Sequence, residues 1–567
     1  MSCVLSLFSK PAFSRPSVKT YITKRPWIFA FCLLAILFVC TRLFPLLHAQ
    51  PWSYWEVFEA KKLSEYGFLE RKGALLDAHY LTGVLPHPEK FNYVNHPAPI
   101  HWVNMLIYQG FGDWGILFLN TSLGLLACFL TLASLRKIYP IDIACFGAVL
   151  FTVAPSSIIF DVDPCVGPLA SFLWPAGAYL LLADHLSLLR RTWLLGLLCL
   201  VAGQIDWLSW TILGSLTIAA LGVGWSRRLS IQPQWLLLQA LFLGSALTVL
   251  FFAAQIFVYI ADWNDLAKYI SKQGGNTLPF AALLKSVSLR IALSLSPALL
   301  LAGLFGFVLM LWRRTARPVE MAALVYLPIF LAALVVLRGF FLTEIWPYEY
   351  LIFPFVLASC YFLSSLPLLW RTRLAYPLLS VLALIGILYA QIQTTSQKLS
   401  EETSFLAELF SKESAPEELI ATNMVDQLPP LPSWNVAGLY VARQKADRLL
   451  RTGIDAKAQL FDLLRQFHTP SLDILFVSTP CQPIDPPLEQ LLRSLQPRSF
   501  ELPSVGVEVP FSIHLRNLYW RFTGRHQAKQ SSTYASDSRT ILLYRFRLKR
   551  IDASGSTIQL VPLNLKP

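Results

Sequence analysis

Carboxylates are the residues best placed to do chemistry in this chain, and they fall in a pattern. Glu56 and Glu59 sit in Trp52-Ser53-Tyr54-Trp55-Glu56-Val57-Phe58-Glu59-Ala60, and Asp161 and Asp163 close the stretch from Pro155 to Pro164. His96 and His101 lie between them in His96-Pro97-Ala98-Pro99-Ile100-His101. Further on come Lys285, Arg338 and the segment Glu344-Ile345-Trp346-Pro347-Tyr348-Glu349-Tyr350. Each acidic group stands just past the end of a long apolar run, whereas the run interiors carry almost no charge. Acids, imidazoles and cations collected at such ends suit a cavity at a membrane–water boundary, where ionisable groups are expensive and therefore functional candidates.

The elements that must position them follow from composition. Of 567 residues, 55% are hydrophobic and 14% charged, against about 25% charged in an ordinary soluble domain. Mean hydropathy is +0.52. The apolar residues gather in runs of roughly 18–25, enough to cross a ~30 Å hydrocarbon core, and a chain in lipid must be helical there to satisfy its own backbone. The first run, 26–47, follows a basic stretch and is too long for a cleaved signal, so it reads as a retained first span. Others follow at about 113–135, 139–158, 165–184, 192–205, 208–225, 234–260, 290–312, 319–337, 348–370 and 374–393. That makes about eleven spans. Two of them meet at Gln204-Ile205-Asp206, which reads as a broken hairpin with Asp206 as a turn residue.

Arg136/Lys137, Arg190/Arg191, Arg227/Arg228, Arg313/Arg314/Arg317 and Arg371/Arg373 all fall in loops of one side if the N-terminus is cytoplasmic. That agreement is the positive-inside pattern. It accounts for the net charge of +13 without a nucleic-acid partner. The nine cysteines, mostly inside apolar runs, offer neither a disulfide framework nor paired metal spacing. Three outer segments are more than connectors: 48–112, 261–289 and 338–350.

After about 394 the composition changes. Helical stretches (401–410, 457–467, 488–495) alternate with strand-like runs (418–422, 472–478, 540–546, 557–561), which predicts a small α/β domain at 394–567 beyond a membrane domain at 1–393. An odd number of spans places this domain outside the cytoplasm.

Four features together resemble the GT-C superfamily of membrane glycosyltransferases, the protein mannosyltransferase and aminoarabinose transferase kind. A carboxylate follows the first span and precedes Ala60-Lys61-Lys62-Leu63-Ser64-Glu65-Tyr66-Gly67. A His-Pro-x-Pro segment opens a juxtamembrane helix at His96. Pro155 to Asp163 closes the third span, and Trp346-Pro347-Tyr348-Glu349-Tyr350 leads to Pro354 and a late span. The resemblance covers roughly 26–370. It departs from the family's pattern where Trp52-Ser53 stands in place of the usual first-loop acid, so Glu56 would have to take that role, with Glu59 as substitute.

The resemblance implies a mainly α, polytopic bundle of GT-C type that moves a sugar from a polyprenyl-phosphate donor to a protein, lipid or glycan acceptor. Transfer would invert the anomeric centre on the extracytoplasmic side of a bacterial inner (plasma) membrane. Glu56 would be the base that takes the acceptor's hydroxyl proton. Asp163 would orient the acceptor or, with Glu56, hold a divalent cation of the Mg²⁺ or Mn²⁺ kind; the metal question stays open. His96, Lys285 and Arg338 would hold the lipid phosphate, with Glu59, His101, Asp161, Glu344, Tyr348 and Glu349 completing the substrate site. Plain structural readings stand beside these: Asp161 as a helix cap, His101 packed on Trp102, and Glu344 or Glu349 bridged to Arg338. Two other functions fit the same span pattern. One is a transporter or flippase of a lipid-linked substrate, which would be expected to carry midplane charges. The other is a non-catalytic scaffold subunit.

Overall fold

A computed structural model describes residues 26–47, 98–162, 167–206, 208–226, 239–251, 280–313, 317–338 and 346–396. In the C-terminal part it describes 418–422, 449–451, 470–478, most of 486–501, 540–551 and 558–563, with a few isolated positions elsewhere. Helix α1 (Pro26–Leu47) opens on a proline, which lacks the N–H that a first helical residue leaves unsatisfied. Helix α2 (Ala98–Arg136) is two segments joined at Gly112, whose φ of 66° suits a residue without Cβ. The portion before Gly112 is a helix that begins within the His-Pro-x-Pro segment, where the sequence predicts one.

Helix α3 (Ile141–Thr152) and helix α4 (Pro155–Val162) meet at a 55° bend, so the apolar run 139–158 is a broken element rather than a straight rod. Then come α5 (Gly167–Leu182), α6 (Leu188–Gly203), α7 (Ser209–Ser226) and α8 (Gln239–Phe251). Helix α9 (Phe280–Arg313) is longer than the expected span 290–312 and breaks at Ser296-Pro297. Helix α10 (Pro318–Val336) again starts on proline, and Glu320 accepts from the Arg317 backbone N–H as in a capping box. A 3₁₀ turn, Trp346–Leu351, leads into α11 (Ile352–Ser365), and a π turn at Arg371–Ala375 leads into α12 (Tyr376–Ser396).

Among the described residues, four helices are long and apolar enough to cross a membrane: Trp102–Arg136, Leu283–Arg313, Val319–Val336 and Leu368–Gln391. Counting the bent α3–α4 pair as one span makes five, and shorter apolar helices such as Ser171–Leu182 lie among them. The total of eleven is an expectation from the sequence. Phe118, Phe242 and Trp312 are each more than three-quarters exposed. Large apolar side chains displayed on many helices would form an aggregating surface in water and suit lipid. The interior closes tightly: a Cβ at Gly306 of α9 would stand 1.8 Å from the Ala358 carbonyl of α11, so only glycine permits that approach.

Three of the five basic loops meet at one end of the bundle. Arg317 donates to the Ile138 carbonyl, Tyr139 to Glu320, and Arg371 pairs with Asp142 at 3.4 Å. Arg136 lies over the Trp27 ring, which brings the start of α1 to the same end.

The C-terminal part contains a mixed sheet, with strands ordered β2 (Leu449–Arg451), β1 (Leu419–Thr422), β3 (Ser471–Ser478), β5 (Thr540–Arg550) and β4 (Arg498–Glu501). β6 (Ile558–Pro562) shares the outer edge of β5 with β4. β1 runs parallel to β2 and β3, and β5 antiparallel to its neighbours. Register sets Ile474 opposite Phe546 and Phe476 opposite Tyr544. That face buries Leu488, Leu492 and Leu495, which α13 (Pro486–Leu492) and its following turn supply. The sequence located four of these strands and this helix; β2 and β4, three and four residues long, carry too little pattern to stand out.

Candidate functional site

Arg42 is the charged residue inside the first apolar run. It lies fifteen residues beyond Trp27, roughly 22 Å along the helix at 1.5 Å per residue. Thr121 of α2 lies fifteen residues from Arg136 and Gln391 of α12 fifteen from Tyr376, so three helices measure a similar rise from the basic end. That rise approaches the far boundary of a ~30 Å apolar core.

There Arg42 is fully buried. Its Nε and Nη2 donate to Asp161 Oδ2 at 3.1 and 2.8 Å, its Nη1 donates to Thr41 Oγ1 at 2.6 Å, and its guanidinium covers the Phe38 ring at 4.3 Å. The neighbouring Thr41 carbonyl accepts from Gln391 Nε2 at 2.6 Å, tying α1 to α12. Asp161 occupies the last turn of α4 and is 1% exposed. Its carbonyl accepts from Thr121 Oγ1 at 2.9 Å. A Cβ at Gly124 of α2 would stand 2.0 Å from Asp161 Oδ1, so that glycine makes the space the carboxylate fills. Asp161 is therefore no N-terminal cap; it is one half of a buried ion pair that fastens α4 to α1.

Glu349 lies beside this pair. It is 1% exposed, and neither carboxylate oxygen has a hydrogen-bond partner. Its charged neighbours are Asp161 and Arg42, with the Ser171 hydroxyl of α5 alongside. One guanidinium thus faces two carboxyl groups. Glu349 makes no bridge to Arg338, and the charges acting on it are those of Asp161 and Arg42. A buried acid without a cation of its own is costly, and buried polar groups of this kind collect at functional sites.

The 3₁₀ turn explains how Glu349 is presented. With three residues per turn, successive side chains leave about 120° apart. Tyr348 donates to the Phe341 carbonyl at 2.7 Å. Tyr350, on the other side, donates to Asp206 Oδ2 at 3.1 Å and lies 3.3 Å from Ser209 Oγ. Asp206 also accepts from the Leu208 backbone N–H at 3.0 Å, the side-chain-to-backbone bond of an Asx turn. The turn reading of Asp206 holds, with a buried tertiary partner added.

Of the other residues singled out from the sequence, Glu56, Glu59, His96, Asp163 and Glu344 lie outside the described residues. His101 falls within α2. Lys285 is exposed on α9, since that helix begins at Phe280 inside the segment read as a loop. Arg338 is half-buried just beyond α10. The structure therefore brings Asp161 and Glu349 together and adds Arg42, Asp206 and Tyr350. Arg42 carried a signal, a lone arginine in an otherwise uncharged run, that is easily overlooked beside the acids. Among the described residues, no three His, Cys, Asp or Glu side chains converge as metal ligands.

The fold is similar to those of several solved structures. The crystal structure of ArnT from Cupriavidus metallidurans bound to undecaprenyl phosphate matches with a TM-score of 0.52 at 12% identity, over 94% of this chain and all of that one. Apo ArnT from the same organism matches with a TM-score of 0.50 at 12% identity, over 85% and 96%. The apo oligosaccharyltransferase of Archaeoglobus fulgidus matches with a TM-score of 0.50 at 12% identity, over 81% of this chain and 70% of that one. At such identity the likeness is one of fold. No protein-family model matches the chain, and no curated protein sequence does.

Proposed function

We propose that this protein is an integral membrane glycosyltransferase that moves a sugar from a polyprenyl-phosphate-linked donor to an acceptor hydroxyl on the extracytoplasmic side, with inversion. The observation that carries the reading is the buried Arg42–Asp161–Glu349 cluster, set at the end of the bundle opposite the basic loops in a GT-C fold. The proteins of similar fold include one crystallised with undecaprenyl phosphate, which supports a lipid-linked donor here.

In this reading Arg42 and Thr121 fix Asp161 from two sides. Asp163 then orients the acceptor. Glu56 takes the acceptor's proton as its oxygen attacks the anomeric carbon, and the lipid phosphate leaves with the electrons of the broken C–O bond. Lys285 and Arg338, near the ends of α9 and α10, would supply the cations that stabilise that phosphate. The substrate roles of Glu59, His96, His101, Glu344 and Tyr348 belong to the same proposal. Residues 394–567 would be a separate extracytoplasmic domain that recognises the acceptor or a partner.

Transfer of radiolabelled sugar from a panel of polyprenyl-phosphate donors to membrane acceptors tests this, comparing wild type with Glu56→Gln and Asp163→Asn at equal expression. Loss of at least a hundredfold in both variants is the expected result. A wild type that transfers nothing, or variants that match it, would overturn the proposal and move a lipid-linked transporter or scaffold ahead.

A further inference from the structure

We propose that Asp206 and Tyr350 are positioning residues that hold Glu349 against the Arg42–Asp161 pair; the inference deepens the glycosyl-transfer reading and rests on it. Arg42 spends Nε and Nη2 on Asp161 and Nη1 on Thr41, leaving Glu349 buried with no bond from the guanidinium and the Ser171 hydroxyl alongside. A long side chain without a bond would normally choose among several rotamers. Glu349 is instead fixed through its backbone, because the residues on both sides are anchored by hydroxyls that point elsewhere.

The anchor on the Tyr350 side is the informative one. The Phe341 carbonyl that receives Tyr348 belongs to the chain just before the turn, seven residues away. Asp206 is 144 residues distant, at the junction of α6 and α7. Its carboxylate is 2% exposed, the Tyr350 ring 1%, and Ser209 is fully buried. Asp206 Oδ2 also takes the Leu208 N–H, so the carboxylate is held by its own turn before it meets the tyrosine. The α6–α7 hairpin is thus a fixed post against which the 3₁₀ turn is set. The turn packs in addition on α4, α5, α9 and α11, so rotating it would move Glu349 relative to Asp161. A displacement of an ångström at a reacting centre is enough to lose about two orders of magnitude in rate. Tyr350 acts through geometry: its hydroxyl donates to Asp206 and makes no bond to Glu349.

Three variants of the full-length protein in detergent or nanodiscs test this: Tyr350→Phe, Asp206→Ala and Asp206→Asn. An asparagine oxygen can still accept from both Tyr350 and Leu208. With polyprenyl-phosphate sugar as donor, Tyr350→Phe and Asp206→Ala should lower kcat roughly tenfold to a hundredfold with KM little changed, the mark of an interaction that matters in the transition state. Asp206→Asn should restore most of the rate. Difference infrared spectroscopy gives a readout independent of turnover, since the Glu349 carboxyl absorption is identified by its loss in Glu349→Gln. That absorption should shift in Tyr350→Phe and Asp206→Ala and return in Asp206→Asn. If it stays unmoved in all three, the positioning role is overturned whether or not transfer is detected. If it shifts as expected while the wild type transfers no sugar, the geometry holds and the glycosyl-transfer reading fails. Equal loss of kcat in Asp206→Asn and Asp206→Ala, with equal loss of thermal stability, would reduce Asp206 to a folding role and overturn the proposal.

Discussion

Two regions of this molecule set arginines against carboxylates, and they balance the charge differently. In the C-terminal sheet, Arg545 forks onto Glu418 through Nε and Nη2, the latter at 2.7 Å, and hydrogen bonding to Glu418 holds its proton more firmly than in a free arginine. Arg547 pairs with Asp473, which the β3–β5 register places directly opposite, and Arg498 pairs with Glu413 at 3.1 Å. Each guanidinium there has its own carboxylate. In the helical bundle, one guanidinium faces two carboxyls, and Glu349 is left without a hydrogen bond. The sheet's pairs cement strands and neighbouring segments. The bundle's cluster keeps a buried acid in an unsatisfied state that folding alone would not select. On the proposed function, the difference separates a structural use of the same residue types from a functional one.

Removing Arg42 should break the comparison most severely. Arg42→Met leaves two buried acids and no cation, and breaking a buried pair costs about 3–5 kcal/mol; thermal melting in detergent should show the loss. Next comes Arg545→Met, which strands Glu418 at 1% exposure. It should cost about 3 kcal/mol, read as early protease cleavage within the C-terminal part while melting of the helical core is unchanged. Glu349→Gln sharpens the contrast. The melting temperature should hold or rise, because an unpartnered acid is replaced by a neutral amide, while transfer falls at least tenfold. A drop in melting temperature comparable to that of Arg42→Met would mean that Glu349 is structural after all. The smallest effect belongs to Asp473→Asn, whose partner is solvent-exposed, and screening leaves such pairs little net worth. No shift in melting is expected, and a clear one would show that the sheet's pairs act as a coupled network.

Much of the fold was legible along the chain because its signals are local. Apolar runs of spanning length, basic residues on one side, Pro26 and Pro318 at helix starts, and the helix after His96-Pro97 each follow from a few neighbouring residues. So do the strands expected at 472–478 and 540–546, which are short apolar runs rich in strand-forming residues. The bend at Pro155, the hairpin at Asp206 and the 3₁₀ turn at Trp346-Pro347 also carry proline or turn chemistry in the sequence itself. Asp161 and Glu349 were legible as candidates by their position at outer helix ends.

Their partnership was not. Arg42 and Asp161 are 119 residues apart, and Asp206 and Tyr350 144 apart. Which acid takes the single guanidinium depends on how α1, α4 and the 3₁₀ turn converge, and on the missing Cβ of Gly124. The helices and the kinds of groups available follow from the residues alone. The convergence of the helices gave the Arg42 cation to Asp161 and left Glu349 without a hydrogen bond. Helix formation is set by residues three and four apart, whereas charge pairing in a desolvated interior is set by ångström distances between segments far apart in the chain.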